Sequence, residues 1–271
     1  MESYKLNKQP KLKALINIGS QVPSEPKNIK FNKLGEGVSF DGRFVAYWGA
    51  WGSEIKIVRL YCPEEGNKDR KAYCKSSASG SQKDDVGWYQ EKEVPVNQGI
   101  FVHDLKSGKN VRIARTGVDF SDFVYWNFSG RAPGVGEGSE GDEDGELARW
   151  RSASFMAVSG KVDDHEDVSY HTAFKARIGI TDVSNVYVNP VDGIYLRKGK
   201  ENNPLSTLVK TDMNGTVFDP EAIDTATQSI LPVTEMGLER DGFRGKSLVI
   251  NVSMGTEEAG WAGIYLTSME R

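Results

Sequence analysis

A set of tryptophans and one arginine in this sequence carries chemistry that proteins use to bind sugars. Trp51 and Trp261 each stand between a glycine and an alanine, and Trp48 precedes Gly49 and Ala50. Such small neighbours leave the indole faces accessible for stacking on a sugar ring, and a nearby arginine can donate hydrogen bonds to hydroxyl or carboxylate groups. The alternative is that at least half of these indoles fill a core. The predicted ligand-binding residues are Trp48, Trp51, Trp88, Trp150, Arg151 and Trp261.

An acidic segment, residues 136–146, alternates glycines with carboxylates. Ca²⁺ prefers several oxygen ligands on a flexible, glycine-bearing loop. Asp142, Asp144 and Glu146 are therefore the candidate calcium ligands, and Ca²⁺ is the one cofactor that the sequence suggests. The spacing does not match that of an EF-hand loop, and a solvated acidic loop without metal is the favoured alternative.

The histidines allow a second kind of site. His165 and His171 lie among carboxylates and can converge on a metal or act as acid and base. Their spacing differs from the i,i+4 spacing of a helical zinc pair. A charged turn between two strands is the favoured interpretation. His103 is expected to be a partly buried histidine on a strand.

The two cysteines, Cys62 and Cys74, flank a polar stretch that has little to bury. A disulfide that closes such a loop removes conformational entropy from a segment without a core, so we predict this disulfide. It indicates an oxidising compartment. Two unrelated free thiols are the alternative.

Composition and the absence of motifs argue against several classes of function. The net charge is −4, which argues against a nucleic-acid partner, because binding phosphates needs a basic surface. No run of about 18 apolar residues exists, so no membrane-spanning helix is expected. Residues 1–5 lack the apolar core of a signal peptide. Walker loops, dinucleotide fingerprints, nucleophile elbows and zinc cysteine clusters are absent from the sequence.

The elements that must position these side chains are indicated by a repeated motif. Glycine, isoleucine, an aromatic residue and an aliphatic residue follow one another at 99–102, 193–196 and 263–266. Short β-branched and aromatic runs separated by turn residues predict strands rather than helices. Another apolar strand follows the first two copies, at 110–115 and 207–211. The third copy lacks one, and residues 14–19 resemble the missing strand.

These repeats predict an all-β fold, a β-propeller-like ring of three long repeats closed by the N-terminal strand. The whole chain, 1–271, is expected to be a single repeat domain with units at roughly 20–115, 116–211 and 212–271 plus 10–19. Propellers have about four to eight blades, so each unit holds more than one blade or two chains join as a homodimer. A β-sandwich is the alternative fold.

A second motif carries a family resemblance. Residues 39–47 read S-x-x-G-x-x-x-A-Y, and Gly42, Ala46 and Tyr47 occupy positions that match a known family signature. This resembles the N-x-x-G-x-x-x-A-F signature of tandem-repeat, β-propeller-like proteins. Asn127 and Gly130 begin a second, interrupted copy. The resemblance implies a propeller-like fold and an exported or surface location, and it implies no catalytic residue.

Three functions follow as hypotheses. The first is a secreted or cell-surface binding module whose partner is a polysaccharide or another glycan, bound by loops inserted between the repeats. The second is a polysaccharide-active enzyme, a lyase or hydrolase that uses a histidine or tyrosine with arginine or carboxylates. The third is a structural or protein-interaction module.

Overall fold

The computed structural model describes residues 12–117, 119–133, 146–162, 168–256 and 259–269. Strands dominate it, as predicted, and a short helix α1 (Lys68–Cys74) and two 3-10 turns (Ser77–Ser79, Gly215–Val217) lie between them. The strands are β1 (Phe31–Phe40), β2 (Phe44–Tyr61), β3 (Gln82–Lys83), β4 (Trp88–Asp104), β5 (Asn110–Arg115), β6 (Tyr125–Ser129), β7 (Arg149–Ala153), β8 (Met156–Val162), β9 (Val168–Thr181), β10 (Tyr187–Lys198), β11 (Leu205–Lys210), β12 (Val233–Gly237), β13 (Phe243–Arg244), β14 (Ser247–Gly255) and β15 (Gly260–Ser268).

The strands form three antiparallel sheets and one hairpin. Sheet 1 runs β1, β2, β4, β5, with β3 beside the start of β4, and sheet 2 runs β8, β9, β10, β11. Sheet 3 holds β14 between β15 on one side and β12 and β13 on the other, and β6 pairs with β7 in the hairpin. Apart from β3 and the pair β12 and β13, which share one side of β14, each sheet is a meander of strands consecutive in the chain. Each sheet falls within one of the three units predicted from the repeats.

The turn between β1 and β2 shows how the local sequence sets a hairpin. Gly42 has a φ of 105°, a conformation that residues with a Cβ rarely adopt. The Asp41 carboxylate accepts hydrogen bonds from the backbone N–H groups of Arg43 and Phe44 at 2.9 and 2.7 Å. This is the side-chain cap that aspartate supplies in tight turns. The Asp41-Gly42 pair therefore sets this hairpin turn locally.

The sheets pack face to face in chain order, with a separate apolar cluster in each interface. The cluster between sheets 1 and 2 joins Trp48 and Ile100 to Phe174 and Tyr195. The cluster between sheets 2 and 3 has the same construction, with Ile194 and Leu196 meeting Phe243 and Leu248. A further cluster lies on the opposite side of sheet 1, around Phe31 and Phe101. Burial of these side chains supplies the main driving force for the stack.

The all-β prediction is confirmed, but the closing strand is not observed. Gly19 donates its backbone N–H to Phe31 O at 2.8 Å, and Ile16 packs against the cluster around Phe31. Residues 14–19 therefore cover the outer side of sheet 1 instead of joining β15. No sheet closes into a ring within the ranges that the structure describes.

The Cys62–Cys74 disulfide is present, as predicted. Its two ends are buried with Phe128 and Ala148 of the hairpin region, although the loop between them is polar. The loop also forms the short helix α1, which the sequence analysis missed. Asn67 caps that helix by accepting a hydrogen bond from Arg70 N at 2.9 Å. No helix in the described ranges is long and apolar enough to cross a lipid bilayer.

Candidate functional site

A groove formed by three adjoining cavities lies where the hairpin β6–β7 meets the three sheets. The cavities have volumes of about 340, 390 and 580 Å³. Tyr125 and Trp126 line both the first and the second cavity, and Thr234 and Glu235 line both the second and the third. Such dimensions suit a small or extended ligand. We call this feature the groove.

The hairpin supplies the aromatic wall of the groove. Phe128 and Trp150 face each other across its two strands, with ring centroids 5.4 Å apart in an edge-to-face arrangement. Phe128 is buried in the disulfide cluster, whereas Trp150 is only partly buried and lines the first cavity. The disulfide cluster therefore supports the hairpin, and the hairpin presents its indoles to the groove.

Two cations lie against Tyr125 at the centre of the groove. Lys175 Nζ lies 4.4 Å from the centroid of the Tyr125 ring, and the Arg177 guanidinium lies 5.1 Å from it. Lys175 Nζ donates a hydrogen bond to Met236 O at 2.9 Å. Burial lowers the pKa of Lys175. Arg177 makes a two-point ion pair with Asp192 at 2.7 and 2.9 Å. Pairs of this geometry hold both groups in fixed orientations.

The floor of the first cavity is set by the buried Asp122. Its carboxylate accepts hydrogen bonds from Gln98 Nε2 at 3.0 Å and Val124 N at 2.9 Å, and a further one from the Tyr187 hydroxyl. Lys56 Nζ lies 3.3 Å from Asp122 Oδ2. Burial, together with the Asp122 charge, raises the pKa of Tyr187 well above its usual value. Because Asp122 accepts these hydrogen bonds from several elements, the network holds the floor of the cavity in place.

Several polar atoms of the groove residues, by contrast, have no hydrogen-bond partner within the described residues. They include the Tyr125 hydroxyl, the indole nitrogens of Trp126 and Trp150, and the Thr211 hydroxyl. Burial raises the pKa of Tyr125 well above its usual value, so its hydroxyl stays protonated. Buried polar groups normally find partners, and a cluster without them needs an explanation. A polar ligand seated in the groove would offer such partners.

Two of the predicted ligand-binding tryptophans are core residues instead, which corrects the prediction. Trp48 is fully buried between sheets 1 and 2 and donates its indole N–H to Gln98 Oε1 at 3.1 Å. Trp51 is 6% exposed and packs edge-on against Phe101 at 6.0 Å. Their small neighbours do not leave the indole rings exposed. Sheet 2 covers Trp48, and residues 16–31 pack near Trp51.

The remaining predicted ligand-binding residues have different positions. Trp150 and Arg151 line the groove, and Trp261 lines its third cavity, donating its indole N–H to Asp219 Oδ2 at 3.0 Å. Trp88 is partly buried against the disulfide cluster and is not among the groove residues. The structure thus brings three of the predicted residues to one groove and leaves the fourth outside it.

The predicted calcium ligands fall largely outside the described residues. Asp142 and Asp144 lie there, and so does His165. Glu146 is described, and its carboxylate contacts Arg149 at 2.8 Å and Arg151 at 3.0 Å. No group of three or more metal-ligating side chains exists in the part of the chain that the structure covers. Calcium binding stays a prediction.

The two described histidines show no catalytic geometry. His103 is 7% exposed and contacts Asn110 Oδ1 through Nδ1 at 3.0 Å, as expected for a buried strand histidine. His171 packs against Phe243, with ring centroids 6.4 Å apart. Burial lowers the pKa of His171. Both side chains lie on strands rather than in the groove.

Sequence analysis missed the groove residues on β9 and β10. Lys175 and Arg177 alternate with buried residues on β9, and Asp192 faces Arg177 across the ladder. Charged and apolar residues alternate in any strand that has one solvent-exposed face, so this pattern did not indicate a site. The pairing of Arg177 with Asp192 could have been recognised only if the register between β9 and β10 had been known.

Comparisons with protein-family models, with curated proteins and with solved structures find no match to this chain. The fold and the groove therefore define it as an all-β protein with three stacked meander sheets. Its function has to be argued from the groove itself.

Proposed function

We propose that this protein is a binding module that takes a carbohydrate chain in the groove. The observation that carries the proposal is the composition of the groove wall. Tyr125, Trp126, Trp150 and Trp261 alternate there with charged side chains along adjoining cavities. Aromatic rings suit the apolar faces of sugars, and charged or amide groups suit their hydroxyl groups.

The architecture supports the same proposal. Antiparallel meander sheets packed face to face are the building blocks of β-propellers, and we propose that the three sheets are an arc of propeller-like blades. Propellers and sandwiches commonly carry ligand sites in loops and hairpins at one end of rigid sheets. The hairpin β6–β7 lines the groove here.

We further propose a secreted or cell-surface location. The Cys62–Cys74 disulfide supports it, because such bonds persist mainly in oxidising compartments. The disulfide loop also contributes Glu65 to the third cavity. The covalent bond thus restrains a segment that borders the proposed ligand.

The test is a glycan array followed by calorimetry on the best ligand. Trp126→Ala removes an indole that lines two cavities, and we expect it to weaken binding by at least about tenfold. Trp88→Ala is the matched control, because Trp88 is also a partly buried indole but lies outside the groove. Near-ultraviolet circular dichroism establishes that both variants are folded.

Two outcomes would reject the groove as the carbohydrate-binding site. One is an array without signal for the wild-type protein, and the other is equal loss of binding in Trp126→Ala and Trp88→Ala. Release of reducing or unsaturated ends from the bound polysaccharide would replace the binding module with the enzyme hypothesis.

A further inference from the structure

The third copy of the Gly-Ile-aromatic motif has an environment unlike that of the other two. Ile100 and Ile194 are both 0% exposed, whereas Ile264, at the equivalent position, is 81% exposed. The difference does not come from the motif, because all three copies lie in the third strand of a meander. It comes from what covers the strand.

The first two copies have strands on both sides. Strand β4 pairs with β2 and β5, and β10 pairs with β9 and β11. In the described residues, β15 pairs with β14 alone. Among the described residues, one edge of β15 therefore presents backbone N–H and C=O groups without a partner strand, which is a template for another strand.

An apolar stripe accompanies this open edge. Leu266 is 66% exposed on the same face as Ile264, and Val249, 39% exposed, lies opposite Leu266 on β14. Residues 260–268 contain no charged residue and no proline. Charges, prolines and bulges are the devices by which natural edge strands avoid pairing, and β15 contains neither a charge nor a proline.

We propose that β15 pairs antiparallel with β15 of a second copy of this chain, about a two-fold axis at Ile264. Every ladder between the named strands is antiparallel, so such a pair continues the existing pattern. A two-fold axis normal to the sheet keeps Ile264 and Leu266 of both copies on one face. Ile264 of each copy then faces the other, and the two four-stranded sheets join into one eight-stranded sheet through the dimer.

A second copy fits this edge better than a charged peptide does. The strand is uncharged along its whole length, so two copies meet without repulsion and without an unpaired charge at the junction. The centre of the nine-residue strand is an isoleucine, and β-branched residues are favoured in cross-strand pairs. The strand is thus complementary to itself.

The first test is the oligomeric state of the full chain, measured by sedimentation over about a hundredfold range of concentration. We expect a reversible dimer. Ile264→Lys places two ammonium groups opposite each other at the axis and should raise the dimer dissociation constant at least about tenfold. Ile180→Lys is the matched control, because Ile180 is a 71% exposed isoleucine on sheet 2. Leu266→Lys serves as the second variant if Ile264→Lys does not fold.

Three results would overturn the proposal. The first is a wild-type protein that stays monomeric at every concentration, and the second is a dimer that Ile264→Lys leaves unchanged. The third is a dimer lost in Leu15→Lys but kept in Ile264→Lys, which would assign the interface to the N-terminal segment.

Cross-linking tests the register directly. The two native cysteines are bonded to each other, so an added cysteine is the single free thiol. Ile264→Cys should cross-link two copies on mild oxidation, because residues at the axis are direct cross-strand neighbours within disulfide reach. Leu266→Cys should not, because its two copies are four strand positions apart, or about 13 Å. The reverse result, or no difference between the two variants, contradicts pairing at Ile264.

Discussion

The ring of Tyr195 lies across Gly193, so that a methyl group on Gly193 would stand 2.9 Å from Tyr195 Oη. Residues i and i+2 of a strand share one face, and the glycine leaves its side-chain space to the ring. Phe101 covers Gly99 in the same way, and Tyr265 covers Gly263. The repeated motif is therefore a packing unit in which the glycine and the aromatic residue depend on each other.

Gly193→Ala should destabilise the protein by about 1–3 kcal/mol, because the new methyl group must displace the buried Tyr195 ring. Urea denaturation gives the free energy of unfolding. Gly87→Ala is the control: its Cβ would have its nearest contact at 3.8 Å, and its φ is not positive. We expect a change within about 0.5 kcal/mol there. Equal effects of the two substitutions would show that the ring does not need the glycine.

Tyr125→Phe should separate binding from stability. The Tyr125 hydroxyl has no partner in the described residues, so its removal should leave the free energy of unfolding within about 1 kcal/mol of wild type or raise it. If a ligand occupies the groove, its affinity should fall several-fold. Tyr187→Phe is the matched control.

Tyr187 donates its hydroxyl to the buried Asp122, and that carboxylate loses a donor in the variant. Tyr187→Phe should therefore cost about 1–3 kcal/mol of stability. Denaturation and calorimetry on both variants provide the comparison. A large loss of stability in Tyr125→Phe would mean that its hydroxyl already has a partner.

The Arg43–Asp104 ion pair should contribute to acid unfolding. Hydrogen bonds from Arg43, at 2.8 and 2.9 Å, hold the pKa of Asp104 well below its usual range. A carboxyl group with a lowered folded-state pKa stabilises the fold above its unfolded pKa of about 3.9, and this stabilisation is lost as the pH falls toward the folded-state pKa. The melting temperature of the wild type should therefore fall as the pH is lowered below about 4.

Asp104→Asn should be less stable than the wild type at neutral pH and should lose less stability in acid. Asp241→Asn provides the control, because Asp241 pairs with Arg244 on the surface, with side chains 69% and 60% exposed. Exposed pairs contribute little, so its melting curve should follow the wild type at every pH. Parallel acid profiles for wild type and Asp104→Asn would exclude this pair as a source of the pH dependence.

Reduction of the Cys62–Cys74 bond should lower stability by about 2–3 kcal/mol, because the bond closes a short loop in the unfolded chain. The Cys62→Ala/Cys74→Ala double variant should show that lower stability with or without reductant. Alkylation of the denatured, unreduced wild-type protein should label no thiol. Labelling of two thiols would contradict the bond.

Much of the secondary structure was predictable, because it depends on neighbours in the chain. The strands, the Asp41-Gly42 turn and the Cys62–Cys74 bond all follow from residue types within a few positions of one another or around one loop. The helix α1 was missed because its seven residues, capped by Asn67, are too few to show a helical period.

The site was less predictable, because exposure depends on what a sheet packs against. Trp48 and Trp150 are both tryptophans on strands, yet sheet 2 covers the first and the groove adjoins the second. Lys175, Arg177 and Asp192 gave no signal, because their proximity arises from the register between β9 and β10.

The sequence by itself determined that this is an all-β protein, since strand alternation, turn residues and the glycine–aromatic motif are local properties. Only the tertiary structure decided which faces are covered. The same motif is buried at Ile100 and Ile194 and exposed at Ile264, because a fourth strand and a neighbouring sheet cover the first two. Burial is a property of contacts between distant segments, and identical residues acquire different roles from it.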